Sequence, residues 1–122
     1  MLGTFVLSAG YYDAYFTKAQ QVRKILHDTT QSIFKNYDII ISPTVPSPAF
    51  RFGEKSNDPI EMFLADIYTV FANLVGIPGI SIPLFSNTSG LPFGLQAMAS
   101  HDDETTLLRA AKEFLQLEVI NT

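Results

Sequence analysis

The chain has 122 residues, 47% of them hydrophobic and 12% aromatic, which is enough apolar material for one packed unit and too much for a disordered tail. Its formal net charge is −4, and its eight Lys and Arg are scattered from Lys18 to Lys112 instead of forming a stripe, which argues against a direct grip on nucleic-acid phosphate. The lack of cysteine excludes a disulfide framework, a thiolate metal site and a cysteine nucleophile, and it fits a reducing cytoplasm.

At the N-terminus no basic segment precedes the apolar residues, and Gly3, Thr4 and Ser8 interrupt them, so a secretory signal is a poor fit. No apolar run reaches the roughly 18 residues of a membrane span. The expectation is a soluble cytoplasmic chain with no membrane contact. From Ser8, a candidate N-cap, to Lys35, apolar side chains recur at spacings of three and four: Tyr12, Tyr15, Phe16, Ala19, Val22, Leu26, Ile33 and Phe34. This periodicity predicts a long amphipathic helix. Tyr37-Asp-Ile-Ile-Ile-Ser42 follows, a short β-branched run closed by Pro43. It reads as a strand buried on both faces of a parallel sheet.

Residues 43–59 carry four prolines together with Gly53, Ser56, Asn57 and Asp58, the composition of a long extended loop. Ile60 to Val75 has helical composition, weakened at Thr69 and Val70, and Gly76 is placed to end it. Gly79 to Leu84 and Phe93 to Met98 read as strands joined through the turn formers Ser86-Asn-Thr-Ser-Gly90, and the two are placed to pair as a hairpin. The last helix runs from Asp102 to Leu115, its acidic start complementing the positive helix end. Helix followed by strand argues α/β, with a mixed sheet flanked by helices that this chain does not complete by itself.

Few residues offer chemistry. Ser81, alternating with isoleucines, reads as a small core residue, because no nucleophile elbow surrounds it. Ser8, Ser42 and Ser47 have cap or turn explanations. His27 and His101 read as solvated surface groups, since neither has a second ligand at metal spacing, and no metal site is expected. Tyr11 and Tyr12 read as residues stapling a helix start onto the core. Asp66 stands apart. Set among Phe63, Leu64, Ala65, Ile67 and Tyr68, its carboxylate would be costly to bury without a partner, either a backbone amide, a basic side chain or a ligand cation.

The stretch Leu2 to Arg23, together with Ser42-Pro-Thr-Val-Pro-Ser-Pro-Ala49, Asp66-Ile-Tyr-Thr69, Gly76-Ile-Pro-Gly-Ile-Ser-Ile-Pro83 and Gly90-Leu-Pro-Phe-Gly-Leu-Gln96, resembles the C-terminal part of amidase-signature proteins. Within that family it is most similar to the glutamine-hydrolysing A subunits of tRNA-dependent amidotransferases. The resemblance covers nearly all of residues 1–122 and implies the C-terminal portion of an amidase-signature domain without its N-terminal catalytic half. It also implies that Met1 is an internal residue promoted to a start. The family's lysine and two serines, which activate the acyl acceptor, have no match here, so no catalytic residue is assigned and the chain alone is expected to be inactive. What remains is a wall of the glutamine pocket, with Asp66 matching the aspartate that binds the glutamine α-ammonium. The arginine that grips the glutamine carboxylate lies upstream of Met1 in the family pattern.

The implied parent hydrolyses glutamine and passes ammonia to B and C partner subunits, which amidate Glu-tRNA(Gln) and often Asp-tRNA(Asn). ATP and Mg²⁺ serve the partner's phosphorylation step, this chain binds no cofactor, and tRNA is met only indirectly. Phe71 departs from the family, which commonly has proline there, and this puts the shape of the glutamine pocket in doubt. The alternatives are a fragment of another amidase-signature amidohydrolase and a non-catalytic protein-binding module.

Overall fold

The computed structural model describes residues 15–53 and 59–120. In chain order these form helix α1 (Thr17–Ile33), strand β1 (Ile39–Pro43), helices α2 (Pro59–Ala65) and α3 (Thr69–Val75), strands β2 (Gly79–Ser86) and β3 (Pro92–Ala99), and helix α4 (Glu104–Ile120). The fold is α/β, with helices on both faces of a three-stranded sheet ordered β1-β3-β2. The part of the predicted first helix that precedes Tyr15 lies outside the described residues.

Both pairings in the sheet are antiparallel among the described residues, which corrects the reading of β1 as a strand of a parallel sheet. The β-branched run in β1 reports burial on both faces, and the helices provide that whatever the strand direction. Ile39 packs with the cluster on the α4 side, built on Ile82, Ala97, Ala99, Leu107 and Ala111. Ile40 packs on the opposite side with Val75, Ile77 and Met98, beneath Leu26 of α1, Phe34 at the C-cap of that helix and Phe71 of α3. The expected hairpin is present. Its turn is tied by Asn87, whose Oδ1 accepts the amides of Ser89 and Leu91 at 2.9 Å each, and Gly90 takes a positive φ of 77°.

The predicted helix from Ile60 to Val75 is broken. Residues 66–68 form a turn between α2 and α3, where the Ile67 amide donates to Leu64 O at 3.3 Å and Thr69 Oγ1 donates to the Asp66 carbonyl at 3.2 Å beside the Val70 amide at 3.0 Å. The β-branched and aromatic run Ile67-Tyr-Thr-Val70 also favours the helix weakly. At the other end Gly76 closes α3 in the left-handed conformation, φ 76° and ψ 46°, its N–H donating to Ala72 O at 2.9 Å. The final helix starts after Asp103, whose Oδ1 accepts the Thr106 amide at 3.2 Å, and it continues to Ile120, beyond the expected Leu115.

Candidate functional site

Register places a polar row across the sheet. Ser42 of β1 and Ser81 of β2 both stand opposite Gln96 of the central strand, and directly opposed residues share a face of the sheet. The neighbouring row contains Ile40, Met98 and Gly79, so this is the face that α1 and α3 cover. Gln96 is buried at 5% exposure, a position where an amide needs partners. Its Nε2 donates to Tyr68 O at 3.1 Å, in the turn between α2 and α3, and to Met98 Sδ at 3.3 Å.

The row is closed by a hydroxyl pair. Thr44 Oγ1, just past the end of β1, and Ser81 Oγ of β2 lie 2.7 Å apart. They meet above β3 because Gly94 lies beneath them: a Cβ there would overlap Ser81 Oγ and come within 2.9 Å of Thr44 Oγ1. The Thr44 amide further donates to Gly94 O at 3.1 Å. With Thr69, Ala72 and Asn73 of α3 these groups border a cleft of about 280 Å³, open at the surface and lined by no charged side chain.

Asp66 is exposed, so the burial cost inferred from its apolar neighbours does not apply to this chain. It stands in the turn at the head of α3, and its carbonyl accepts Val70 N at 3.0 Å and Thr69 Oγ1 at 3.2 Å, which leaves the carboxylate outside the helical bonding. Thr69 borders the cleft and Asp66 does not, so the turn brings the predicted residue beside the cleft's rim through the backbone.

Several sequence readings change. Ser81 is exposed and bonded to Thr44; it is not a core residue. Ser42 lies in β1 with its Oγ buried and, among the described residues, without a hydrogen-bond partner, where a turn role was expected. The reason is register, which turned an apparently apolar alternation into a polar row. His27 is half-buried, its Nδ1 carrying the proton toward Val75 O at 3.0 Å because a carbonyl only accepts. Beside it Arg23 Nε donates to Leu74 O at 2.8 Å. The two side chains thus close the C-terminal end of α3. His101 is exposed as expected and lies 2.9 Å from Asp102. Ser8, Tyr11 and Tyr12 lie outside the described residues. Thr44 and Gln96 were not singled out, and one signal was available: the matched spacing of Gln96 and Ser81 about the hairpin turn.

Among the described residues no helix is long and apolar enough to cross a membrane. The family model described as Amidase matches residues 1–108. The A subunit of glutamyl-tRNA(Gln) amidotransferase from Acidobacterium capsulatum is 53% identical over 118 residues, 97% of this chain and 25% of the relative. Its counterpart of the same name in Koribacter versatilis is 56% identical over 111 residues, 91% of this chain and 23% of the relative. The chain therefore spans about a quarter of the length of these relatives. The crystal structure of the glutamyl-tRNA(Gln) amidotransferase A subunit from Thermotoga maritima superposes with a TM-score of 0.70 and 46% identity, over 83% of this chain and 22% of that one. A 6-aminohexanoate cyclic dimer hydrolase gives a TM-score of 0.71 at 23% identity over 88% of this chain and 24% of that one, which shows a shared fold.

Proposed function

Since the chain belongs to the amidase family, we propose that it forms part of the glutamine-hydrolysing subunit of a tRNA-dependent amidotransferase and supplies one wall of the glutamine pocket. The observation that carries this reading is the identity above one half to A subunits from two organisms over nearly the whole chain, against 23% for the cyclic dimer hydrolase on the same fold. Asp66, at the exposed turn beside the polar cleft, binds the α-ammonium of glutamine through a charge-assisted hydrogen bond. The nucleophile and its activating groups come from the remainder of the longer protein. Ammonia passes to B and C partner subunits in the cytoplasm, ATP and Mg²⁺ act on a partner, and tRNA is met through the complex.

The test is a chimera in which this chain replaces the matching quarter of a full-length A subunit, co-purified with its partners. It should convert Glu-tRNA(Gln) to Gln-tRNA(Gln) with glutamine as nitrogen donor. The 122-residue chain alone should release no ammonia from glutamine above a blank. A folded but inactive chimera, or ammonia release by the lone chain that disappears when one of its own serines is changed, would overturn the assignment.

A further inference from the structure

We propose that Gln96 is a specificity-determining residue that reads the side-chain amide nitrogen of the ligand, so that the cleft takes a primary carboxamide in preference to the corresponding carboxylate. The inference rests on the glutamine-pocket reading and deepens it by naming the group that tells substrate from product. Gln96 is buried, and the orientation of its amide follows from chemistry: the Tyr68 carbonyl and the Met98 thioether only accept, so both must face Nε2. Among the described residues none donates a hydrogen bond to Oε1. Gln96 borders the cleft, so a fixed neutral acceptor is offered there that nothing within the described fold uses.

The rest of the lining agrees in kind. Asn73 spends one Nδ2 hydrogen on Thr69 O at 3.3 Å, which leaves its oxygen as an acceptor and a second N–H as a donor. Thr69 spends its hydroxyl hydrogen on Asp66 O and likewise retains lone pairs. Of the two hydroxyl hydrogens on Thr44 and Ser81, their mutual bond uses one, and the other remains to be donated. Several acceptors, two donors (the free hydroxyl hydrogen and the second Asn73 N–H) and no charge match the oxygen and the N–H groups of a carboxamide. A carboxylate brings only acceptors and would set its charge against these oxygens, leaving the buried Gln96 unpaired at its oxygen, which is how a built site rejects an analogue that lacks a donor.

The experiment measures dissociation constants on the chimera described above, with the parent's nucleophile silenced so that no turnover intervenes. The ligands are glutamine, glutamate and the methyl ketone isostere of glutamine, in which CH₃ replaces NH₂. Both glutamate and the isostere should bind at least about ten-fold more weakly than glutamine, the scale of one lost hydrogen bond with a partner left unpaired. In Gln96→Met, which keeps the length of the side chain, the gap between glutamine and the isostere should close to within about two-fold. Equal binding of glutamine and the isostere by the unaltered chimera would overturn the inference while leaving the pocket reading intact, and that arm does not depend on any variant folding. A gap that persists in a folded Gln96→Met would overturn it as well. No binding of glutamine by a folded chimera would remove the pocket reading and this inference together.

Discussion

At the scale of single residues, the site depends on two that do not line the cleft. Gly94 is one, since its missing side chain is what lets the hydroxyls of Thr44 and Ser81 meet across the central strand. Gly94→Ala should destabilise the fold by about 1–3 kcal/mol, the usual cost of overpacking, as read from urea unfolding. The nearest atom to the added methyl is Ser81 Oγ, so the Gly94→Ala, Ser81→Ala pair should recover part of that loss. Full additivity of the two changes would show that the contact is not the cause. Asp66 is the other. Its exposed carboxylate contributes nothing to the helical bonding, whereas its carbonyl does. Asp66→Asn in the chimera should therefore raise the KM for glutamine about ten-fold or more, since a charge-assisted bond is worth roughly 1.5–3 kcal/mol, and should move Tm by no more than about 2 °C. A glutamine KM equal to that of the parent would exclude Asp66 from binding.

Among the elements, α3 is the one that ties the site together. Its head carries the Asp66 turn, one side borders the cleft, and its tail is closed by two side chains from α1. A helix of seven residues has little cooperativity of its own, so such contacts set its stability. Arg23→Ala and His27→Ala should each cost about 1 kcal/mol by removing a donor to a terminal carbonyl. Amide exchange should quicken in α3 and stay unchanged in α4, which those side chains do not touch. Uniform acceleration across the sheet and both helices would mean that the loss is global. The exposed pair Lys24 and Asp28, 3.2 Å apart on α1, should by contrast contribute only a few tenths of a kcal/mol.

For the molecule as a whole, exposed apolar surface is the dominant fact. Ile25 at 64%, Ile41 at 56%, Phe63 at 85% and Leu108 at 60% exposure lie on four different elements, so the apolar surface is not one local patch. Along α1 the predicted stripe is only half used: Leu26 and Phe34 pack against the sheet, while Tyr15, Ala19 and Val22 border an open apolar groove with Leu74. Surfaces of this kind drive association. The purified chain should self-associate on a sizing column and bind a hydrophobic dye. A sharp monomer peak with cooperative unfolding and no dye binding would mean that the chain stands alone as a domain.

How much of this was legible in the sequence depended on whether the relevant signal was local. Periodicity located α1, β1 and the β2–β3 hairpin, and Gly76 marked the end of α3, because each of these responds to spacings of a few residues or to a backbone conformation that glycine favours. The motif resemblance pointed to the family for a related reason: strings such as Gly90 to Gln96 are local text. The direction of β1 was not legible, since a β-branched run records burial on two faces and is silent about the strand beside it. Nor was the break at residues 66–68, where a glutamine from a distant strand bonds the Tyr68 carbonyl. The polar row of Ser42, Gln96 and Ser81 joins residues as far apart as 54 positions in the chain, and only the pairing register brings them to one face. Tertiary structure decided the site because a hydrogen bond requires atoms about 3 Å apart, and sequence separation carries no information about that distance once strands pair across the fold.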